Sequence, residues 1–205
     1  MQVISWEEFA GQGAGEERAA PVPLALTVGV FDGVHRGHRA LIRRVCEEGG
    51  CAPAVVTFRQ NPMAAIAPER HAGDIFSLER KLSSLKELGV RLAVLIDFSP
   101  EFSKISGRDF VDLLLGSRPV GLVALGEDFR CGRGMDVGAK EIQAIAASRG
   151  VAAWIAPPVM DAGLPVSSSR IRQALAAGRV AEAGRLLGGA RGSDVAREIV
   201  PNWRS

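Results

Sequence analysis

The sequence predicts an α/β fold with a doubly wound parallel sheet of about five strands and additional helices at the C-terminus. Short apolar runs rich in Val, Ile and Leu alternate along the chain with stretches of helical periodicity. A continuous apolar run is typical of a strand buried on both faces, as in a parallel sheet. Because the strands and helices alternate with short connections, the layered α/β class is favoured over an all-helical or all-β domain.

Five segments are predicted as strands. They are residues 24–30, 54–58, 92–96, 122–125 and 152–155. Four helices are predicted between them, at residues 38–48, 78–88, 108–115 and 140–149. The second of these helices has clear boundaries, since Ser77 is a favourable N-cap and Gly89 a favourable C-cap.

Two further short helices are predicted after the last strand, at residues 168–177 and 180–187, with Gly178 between them. Gly188 and Gly189 then interrupt the helical pattern. We therefore expect one domain over residues 1–188 and a C-terminal tail over residues 189–205.

Composition and charge exclude several classes of protein. The chain has 205 residues, of which 47% are hydrophobic and 23% charged, which excludes a disordered or fibrous protein. Its 25 basic and 23 acidic residues leave a net charge of +2, too small to indicate non-specific binding of nucleic acid or of a membrane surface. We expect neither as a partner, and the oligomeric state is not predicted.

Cysteine usage and the N-terminus indicate a cytoplasmic protein. Cys46, Cys51 and Cys131 form no C-x-x-C pair, so neither a disulfide framework nor a zinc site is predicted. Glu7 and Glu8 lie where a signal peptide would be basic, and no apolar run approaches the length of a membrane-spanning helix. A reducing compartment is the natural location.

Polar segments lie at or after the ends of four of the predicted strands, the last of them beyond Pro157 and Pro158. They are residues 29–38, 57–62, 126–130 and 166–172. In an open parallel sheet, ligands bind beyond the carboxyl ends of the strands, near the point where the strand order reverses. We therefore expect these four segments to converge on one site.

The first polar segment has the character of a phosphate site. His35 and His38 are two of the three histidines of the chain and share one face at the start of a predicted helix. Free N–H groups at a helix start attract anions, and Gly33 and Gly37 would let a phosphate approach the backbone. Two imidazoles could donate hydrogen bonds to charge that develops in phosphoryl or nucleotidyl transfer; a metal-binding pair is the alternative. The sequence contains neither a P-loop nor a G-x-G-x-x-G motif.

The same segment carries a family resemblance. Gly29-x-Phe31-Asp32-Gly33-x-His35-x-Gly37-His38 resembles the H-x-G-H signature of the nucleotidyltransferase superfamily, in the form found in bacterial FAD synthetases. Residues 76–82, 98–102, 110–111 and 126–130 are similar to the same family. Residues 166–172 are similar to the superfamily's I-S-S-T-x-x-R motif, with Val166 in place of Ile and Ser169 in place of Thr.

This resemblance implies a Rossmann-like fold and an FMN adenylyltransferase, which joins FMN and ATP to give FAD and pyrophosphate. The FMN phosphate would attack the α-phosphorus of ATP directly, with Mg²⁺ shared among the phosphates, so no protein nucleophile is needed. The ligands of the metal are not predicted.

The resemblance also assigns residues to roles. The catalytic residues would be His35, His38 and Arg172. ATP would be bound by Gly29, Phe31, Asp32, Gly33, His35, His38, Ser167, Ser168, Arg170 and Arg172, where Arg170 either assists or is only a solvated side chain. The flavin side would be formed by Asn61, Pro62, Asp128 and Phe129.

Two departures from the family concern the flavin side and the length. The family commonly has T-F-x-P-H-P where this chain has Thr57-Phe58-Arg59-Gln60-Asn61-Pro62, and Cys131 replaces a frequent Phe. Family members usually continue after the position of Gly188 into a riboflavin kinase module, which residues 189–205 do not resemble. We therefore expect adenylyl transfer without riboflavin kinase activity, either from a stand-alone enzyme or from a piece of a longer chain.

Two other functions stay open from the sequence. One is a related nucleotidyltransferase with a different acceptor, such as a pantetheine phosphate, a nicotinamide mononucleotide or a cytidylyl-transfer substrate. The other is a non-catalytic regulator that binds flavin or nucleotide.

Overall fold

The computed structural model describes residues 1–11 and 22–188. Its strands are β1 (Gln2–Ser5), β2 (Leu24–Val28), β3 (Ala52–Phe58), β4 (Leu92–Ile96), β5 (Val120–Gly126), β6 (Arg130–Cys131), β7 (Val137–Gly138), β8 (Ala152–Ala156), β9 (Met160–Asp161) and β10 (Leu164–Pro165). Its α-helices are α1 (Trp6–Gly11), α2 (Arg36–Cys46), α3 (Pro62–Ile66), α4 (Leu78–Glu87), α5 (Gly107–Gly116), α6 (Ala139–Ser148), α7 (Ser168–Ala176) and α8 (Val180–Leu187). The predicted tail over residues 189–205 lies outside the described residues.

Six of these strands form one parallel sheet in the order β1-β4-β3-β2-β5-β8. The five strands predicted from the sequence all belong to it, which confirms the α/β fold class. The sequence did not indicate the sixth strand, β1, because only Ile4 of its four residues is buried, so it shows no continuous apolar run. Two antiparallel ribbons, β6 with β7 and β9 with β10, lie outside this sheet.

The sheet separates two hydrophobic cores. Alternate residues of β2 point into different cores, with Leu24, Leu26 and Val28 in one and Ala25 in the other. Helices α1, α5 and α6 contribute buried side chains to the first core, whereas α2, α4, α7 and α8 contribute to the second. Helices therefore cover both faces of the sheet, as the doubly wound prediction requires.

The strand order places a switch point beside β2. The chain passes from β2 to β3 on one side of it, and β5 later pairs with β2 on the other side. The connections leave in opposite directions from this point, which opens a crevice at the carboxyl edge of the sheet. Among the helices of the described residues, none combines the length and apolar character that a bilayer crossing requires.

Candidate active site

A cavity of about 450 Å³ opens at the carboxyl ends of β2, β5 and β8. Its walls come from the segments that follow these three strands, from the start of α2 and from the start of α7. The lining residues are Val28, Gly29, Phe31, His35, Gly37, His38, Leu41, Gly126, Glu127, Asp128, Phe129, Ala156, Pro157, Pro158, Val159, Pro165, Val166, Ser167 and Ser168. Three of the four polar segments singled out in the sequence thus meet at one place, which is where an open parallel sheet binds ligands.

A tight turn leads from β2 to the first residues of α2. Phe31 has φ 51°, Gly33 has φ 78° and Val34 has φ 41°, so three residues of the turn adopt the left-handed region. That conformation is unfavourable for Phe and Val, and it persists only where the surrounding structure holds it. Phe31 and Val34 are both fully buried in the second core, and their packing supplies this restraint.

His35 caps α2 with its side chain. Its Nδ1 atom accepts a hydrogen bond from the backbone N–H of His38 at 3.3 Å, where an N-cap residue usually offers a hydroxyl or carboxylate oxygen. The ring of His38 stacks on that of His35 with 3.6 Å between centroids, and the rings of Phe31 and His38 meet edge to face with 5.0 Å between centroids. Because Nδ1 of His35 is an acceptor, its neutral ring carries the proton on Nε2, which is a donor.

Both imidazoles are neutral near pH 7. Burial lowers the pKa of His35 to about 4. The pKa of His38 also lies well below its usual value, first because of burial and then because of the nearby positive charges of protonated His35 and of Lys81. Within the described residues the buried Nδ1 atom of His38 has no hydrogen-bond partner. Near pH 7 the pair can therefore offer hydrogen bonds to a ligand, but not two positive charges.

The N-termini of α2 and α7 lie side by side at this cavity. A methyl group on Gly37 would lie 3.8 Å from the carbonyl oxygen of Val166, and the Ser168 hydroxyl donates to the carbonyl oxygen of Asp32 at 2.9 Å. Ser167 caps α7 by accepting a hydrogen bond from the backbone N–H of Arg170 at 3.2 Å. Each helix start offers free N–H groups and a partial positive charge, and both of these properties favour an anion.

Comparison with known proteins identifies the family. A family model described as FAD synthetase matches residues 17–170. The chain belongs to the FAD synthetase family. This finding confirms the resemblance carried by the H-x-G-H segment.

Curated relatives of the FAD synthetase family extend the comparison. The chain is 34% identical over 167 residues to the bifunctional riboflavin kinase/FMN adenylyltransferase of Escherichia coli (strain K12), covering 80% of this chain and 53% of that protein. It is 29% identical over 177 residues to the protein of the same name from Bacillus subtilis (strain 168), covering 84% of this chain and 55% of that protein. The chain thus spans about half the length of the curated relatives that it matches.

Solved structures share the fold. A crystal structure from Streptococcus pneumoniae, described as a macrolide-efflux protein, superposes with a TM-score of 0.74 at 27% identity, over 92% of this chain and 62% of that one. A pantoate-β-alanine ligase from Francisella tularensis, in complex with β,γ-ATP and β-alanine, gives a TM-score of 0.54 at 16% identity. The superposition covers 100% of this chain and 85% of that one. The second likeness concerns the fold alone.

Asp32 and Arg172 lie next to the cavity of this FAD synthetase family member, outside the set of described residues that line it. The Asp32 carboxylate is 5% exposed and accepts hydrogen bonds from the N–H groups of Ile75 at 2.9 Å and Phe76 at 3.1 Å. Arg172 pairs with the same carboxylate and donates to the carbonyl oxygen of Gly73 at 2.9 Å. Burial raises the pKa of Asp32, while these N–H groups and the guanidinium act in the opposite direction. The pair thus ties the turn, residues 73–76 and α7 together.

Arg170 and Gly33 also have structural neighbours. Arg170 forms ion pairs with Asp161 at 3.2 Å and Glu182 at 3.1 Å and donates to the carbonyl oxygen of Leu164, which joins α7 to the β9–β10 ribbon. Only 14% of its side chain is exposed, so it is not a solvated arginine. A methyl group on Gly33 would lie 3.1 Å from side-chain carbons of both Ile75 and Leu187, so this glycine faces the packed core.

The four residues predicted for the flavin side are placed in two groups. Asp128 and Phe129 line the cavity. Asn61 begins α3 instead, where its side chain accepts a hydrogen bond from the backbone N–H of Met63 at 3.1 Å, and Pro62 is the first residue of that helix. The structure therefore does not bring Asn61 and Pro62 into the part of the cavity wall that the described residues form.

Several lining residues were missed by sequence reasoning. Pro157, Pro158 and Val159 follow β8 directly, so the same rule that located the other segments could have found them. Lys81 does not line the cavity, but its ammonium group contacts Val30 and Phe58 from α4, and no local pattern in the sequence indicates that contact. Across residues 1–11 and 22–188, no three His, Cys, Asp or Glu side chains are grouped so as to hold a metal ion by themselves.

Proposed function

We propose that this chain is an FMN adenylyltransferase, which transfers AMP from ATP to FMN and yields FAD and pyrophosphate. The observation that carries the proposal is the convergence of two helix N-termini and two stacked, neutral imidazoles on one cavity at the switch point of the sheet. Membership of the FAD synthetase family supports this choice of donor and acceptor, since FMN as substrate and FAD as product fit that family.

The reaction is a direct displacement at phosphorus. An oxygen of the FMN phosphate forms a bond to the α-phosphorus of ATP, and the bond from that phosphorus to the oxygen bridging to the β-phosphate breaks. The electron pair of the broken bond leaves with pyrophosphate. No proton has to be removed from the attacking phosphate oxygen, so the protein's tasks are positioning and charge stabilisation.

His35 and His38 would stabilise the charge that moves onto the phosphate oxygens. Nε2–H of His35 is a hydrogen-bond donor held by the cap that the opposite nitrogen forms on α2. The free N–H groups of α2 and α7, together with Ser167 and Ser168, would bind the rest of the triphosphate. A neutral imidazole is also easier to keep in a buried wall than an imidazolium, which agrees with the lowered pKa values of both histidines.

The remaining predicted residues would shape the site. Gly29 and Phe31 lie in the cavity wall and would contact the adenine nucleotide. Asp32, Gly33 and Arg170 would hold the turn and the start of α7. Arg172 is retained as a candidate catalytic residue, and it would reach a phosphate by exchanging the Asp32 carboxylate for it.

Mg²⁺ would enter bound to the ATP phosphates. Magnesium prefers oxygen ligands and is usually held by one or two carboxylates together with substrate phosphates. Two acidic residues, Glu127 and Asp128, line the cavity, so the residue types present fit such an ion. Its chemistry there would be to neutralise phosphate charge.

Binding of the flavin is proposed on the side of Asp128 and Phe129, with Asn61 and Pro62 acting from the start of α3. A single catalytic domain over residues 1–188, a cytoplasmic location and the absence of riboflavin kinase activity from this chain stay predictions.

The function is tested by incubating the pure chain with ATP and Mg²⁺ plus either FMN or riboflavin, and separating the products by chromatography. FAD from FMN, and no FMN from riboflavin, is the expected result. Bound FMN without turnover would favour a flavin-binding regulator. No FAD and no FMN binding, with ATP still bound, would point to a nucleotidyltransferase with another acceptor.

A further inference from the structure

Lys81 is a buried cation close to the site that the proposed reaction does not use. It lies on α4 and is 6% exposed. Its ammonium group donates to the carbonyl oxygen of Phe58 at 2.7 Å and to that of Val30 at 3.3 Å. Lysine is rarely buried this completely, because removing an ammonium group from water is costly unless partners compensate.

The two carbonyl groups belong to neighbouring strand ends. Phe58 is the last residue of β3, and Val30 follows β2 and precedes the left-handed Phe31. The hydroxyl of Thr57 donates to the same Val30 carbonyl at 3.0 Å. Lys81 thus joins the carboxyl ends of β2 and β3 at the residue where the strained turn begins.

The turn connects Val30, which Lys81 contacts, to the two imidazoles. Phe31 directly follows Val30, and its ring packs edge to face with that of His38, with 5.0 Å between the ring centroids. A displacement of Val30 would therefore shift the ring that supports His38, and His38 in turn stacks on His35. Interiors are close-packed, so a displacement of this kind passes to neighbouring side chains.

Lys81 also acts on His38 through its charge. The positive charges near His38 are those of Lys81 and of protonated His35, and both lower the pKa of His38, after burial. The pKa of Lys81 itself lies below its usual value, because burial lowers it more than the carboxylates of Asp32 and Asp74 raise it. The two carboxylates thus favour the charged form of Lys81. The charged form of Lys81 in turn disfavours protonation of His38.

We propose that Lys81 is a positioning residue for the phosphate-binding turn: it ties the ends of β2 and β3 beneath Phe31 and places a fixed positive charge near His38. This inference rests on the proposed function for its catalytic consequence. Its electrostatic consequence is a property of the free protein and is measurable without any reaction.

The test compares Lys81→Met with Lys86→Met. Methionine has a side chain of similar length but offers neither charge nor N–H donor. Lys86 is exposed on the same helix, and no hydrogen bond or ion pair of its side chain occurs within the described residues, so its replacement controls for a general effect of removing one lysine from α4. Two quantities are measured: kcat and KM for FAD formation, and the titration of the His38 imidazole by ¹⁵N NMR of the ring nitrogens.

We expect Lys81→Met to lower kcat on the order of 10²-fold while KM for ATP changes less than about threefold, since the reacting groups are misplaced rather than lost. We also expect the His38 imidazole to protonate at a higher pH than in the wild type, because a nearby cation has been removed. Lys86→Met should leave both quantities unchanged. The chain has three histidines, which keeps the spectrum simple to assign.

The proposal is overturned if the folded variant retains kcat within about twofold of the wild type, or if His38 titrates at an unchanged pH. A variant that is less stable but unchanged in kcat and in the His38 titration would show that Lys81 has only a structural role. If Lys81→Met does not fold, Lys81→Gln replaces it, because its amide can still donate to a carbonyl oxygen while the charge is absent. If the wild type forms no FAD, the proposed function fails, but the His38 titration still decides the electrostatic part.

Discussion

His35 holds His38 in two ways: its Nδ1 atom accepts a hydrogen bond from the backbone N–H of His38, and its ring stacks against that of His38 at 3.6 Å. One nitrogen of His35 is thereby occupied as a helix cap, and the other is left as a donor. The same ring thus begins α2 and forms part of the cavity wall.

Loss of the His38 ring should affect turnover more than substrate binding. We expect His38→Ala to lower kcat on the order of 10²-fold or more, because a donor to the developing phosphate charge is removed. Steady-state kinetics of FAD formation check this, with far-UV circular dichroism to confirm the fold. His71→Ala is the matched control, since His71 lies outside the cavity lining and pairs with Asp74 at 3.3 Å. A variant that only raises KM for ATP would contradict the assigned role.

Stability should decrease in mild acid on account of His35. Its pKa is about 4 in the folded protein and near 6.5 when unfolded, so between these values the unfolded chain binds the extra proton. The free energy of unfolding should therefore fall as the pH drops from about 6.5 to about 4, by about 3 kcal/mol from this residue.

Denaturant titrations at a series of pH values measure that contribution. His35→Asn is the comparison, because Asn does not titrate and is itself a favourable N-cap. The unfolding free energy of the wild type minus that of the variant should decrease as the pH is lowered. A difference that stays constant from pH 7 to pH 4 would show that His35 is not held neutral.

Removal of the Arg172 side chain should destabilise the fold. Arg172→Met leaves the buried Asp32 carboxylate without its cation, so we expect the free energy of unfolding to fall by about 3–5 kcal/mol. Arg179→Met is the control, since Arg179 is 54% exposed in its ion pair with Glu182 and should change stability by less than about 1 kcal/mol. Equal effects of the two substitutions would argue against a structural role for the Asp32 pair.

A methyl group at residue 37 should disturb the site while changing stability little. In Gly37→Ala the new carbon would lie 3.2 Å from Cε1 and 3.3 Å from Nδ1 of His35, so the ring must shift. The clash opposes the gain of about 1 kcal/mol that Ala brings to a helix in place of Gly. We expect kcat to fall on the order of 10-fold or more. Gly49→Ala, where nothing lies within 4 Å, should be fully active; full activity of Gly37→Ala would mean that the His35 ring tolerates displacement.

The fold was predictable because its signals are local. Buried strands of a parallel sheet are largely apolar: β4 is apolar throughout and β2 is interrupted only by Thr27, and serine caps mark the starts of α4 and α7. Edge strand β1 escaped detection because only one of its four residues, Ile4, is buried. The position of the cavity was also predictable, since it depends only on which segments follow the strands.

The partners of the charged residues were not predictable. Arg172 is 140 residues from Asp32 in the chain, and Lys81 is 51 residues from Val30. The sequence around an arginine does not show whether its guanidinium will contact a phosphate or a buried carboxylate. That partner is decided only by how the chain packs.

By itself, the sequence determined the alternation of strands and helices, the family and the location of the turn between β2 and α2, because the signal for each of these lies in residues that are close together in the chain. The tertiary structure alone decided that His35 is a neutral cap, that Asp32 and Arg172 pair beside the cavity, and that the ammonium group of Lys81 donates to the carbonyl oxygens of Val30 and Phe58. These features depend on burial and on contacts between distant segments, and both exist only after the two cores have packed against the sheet.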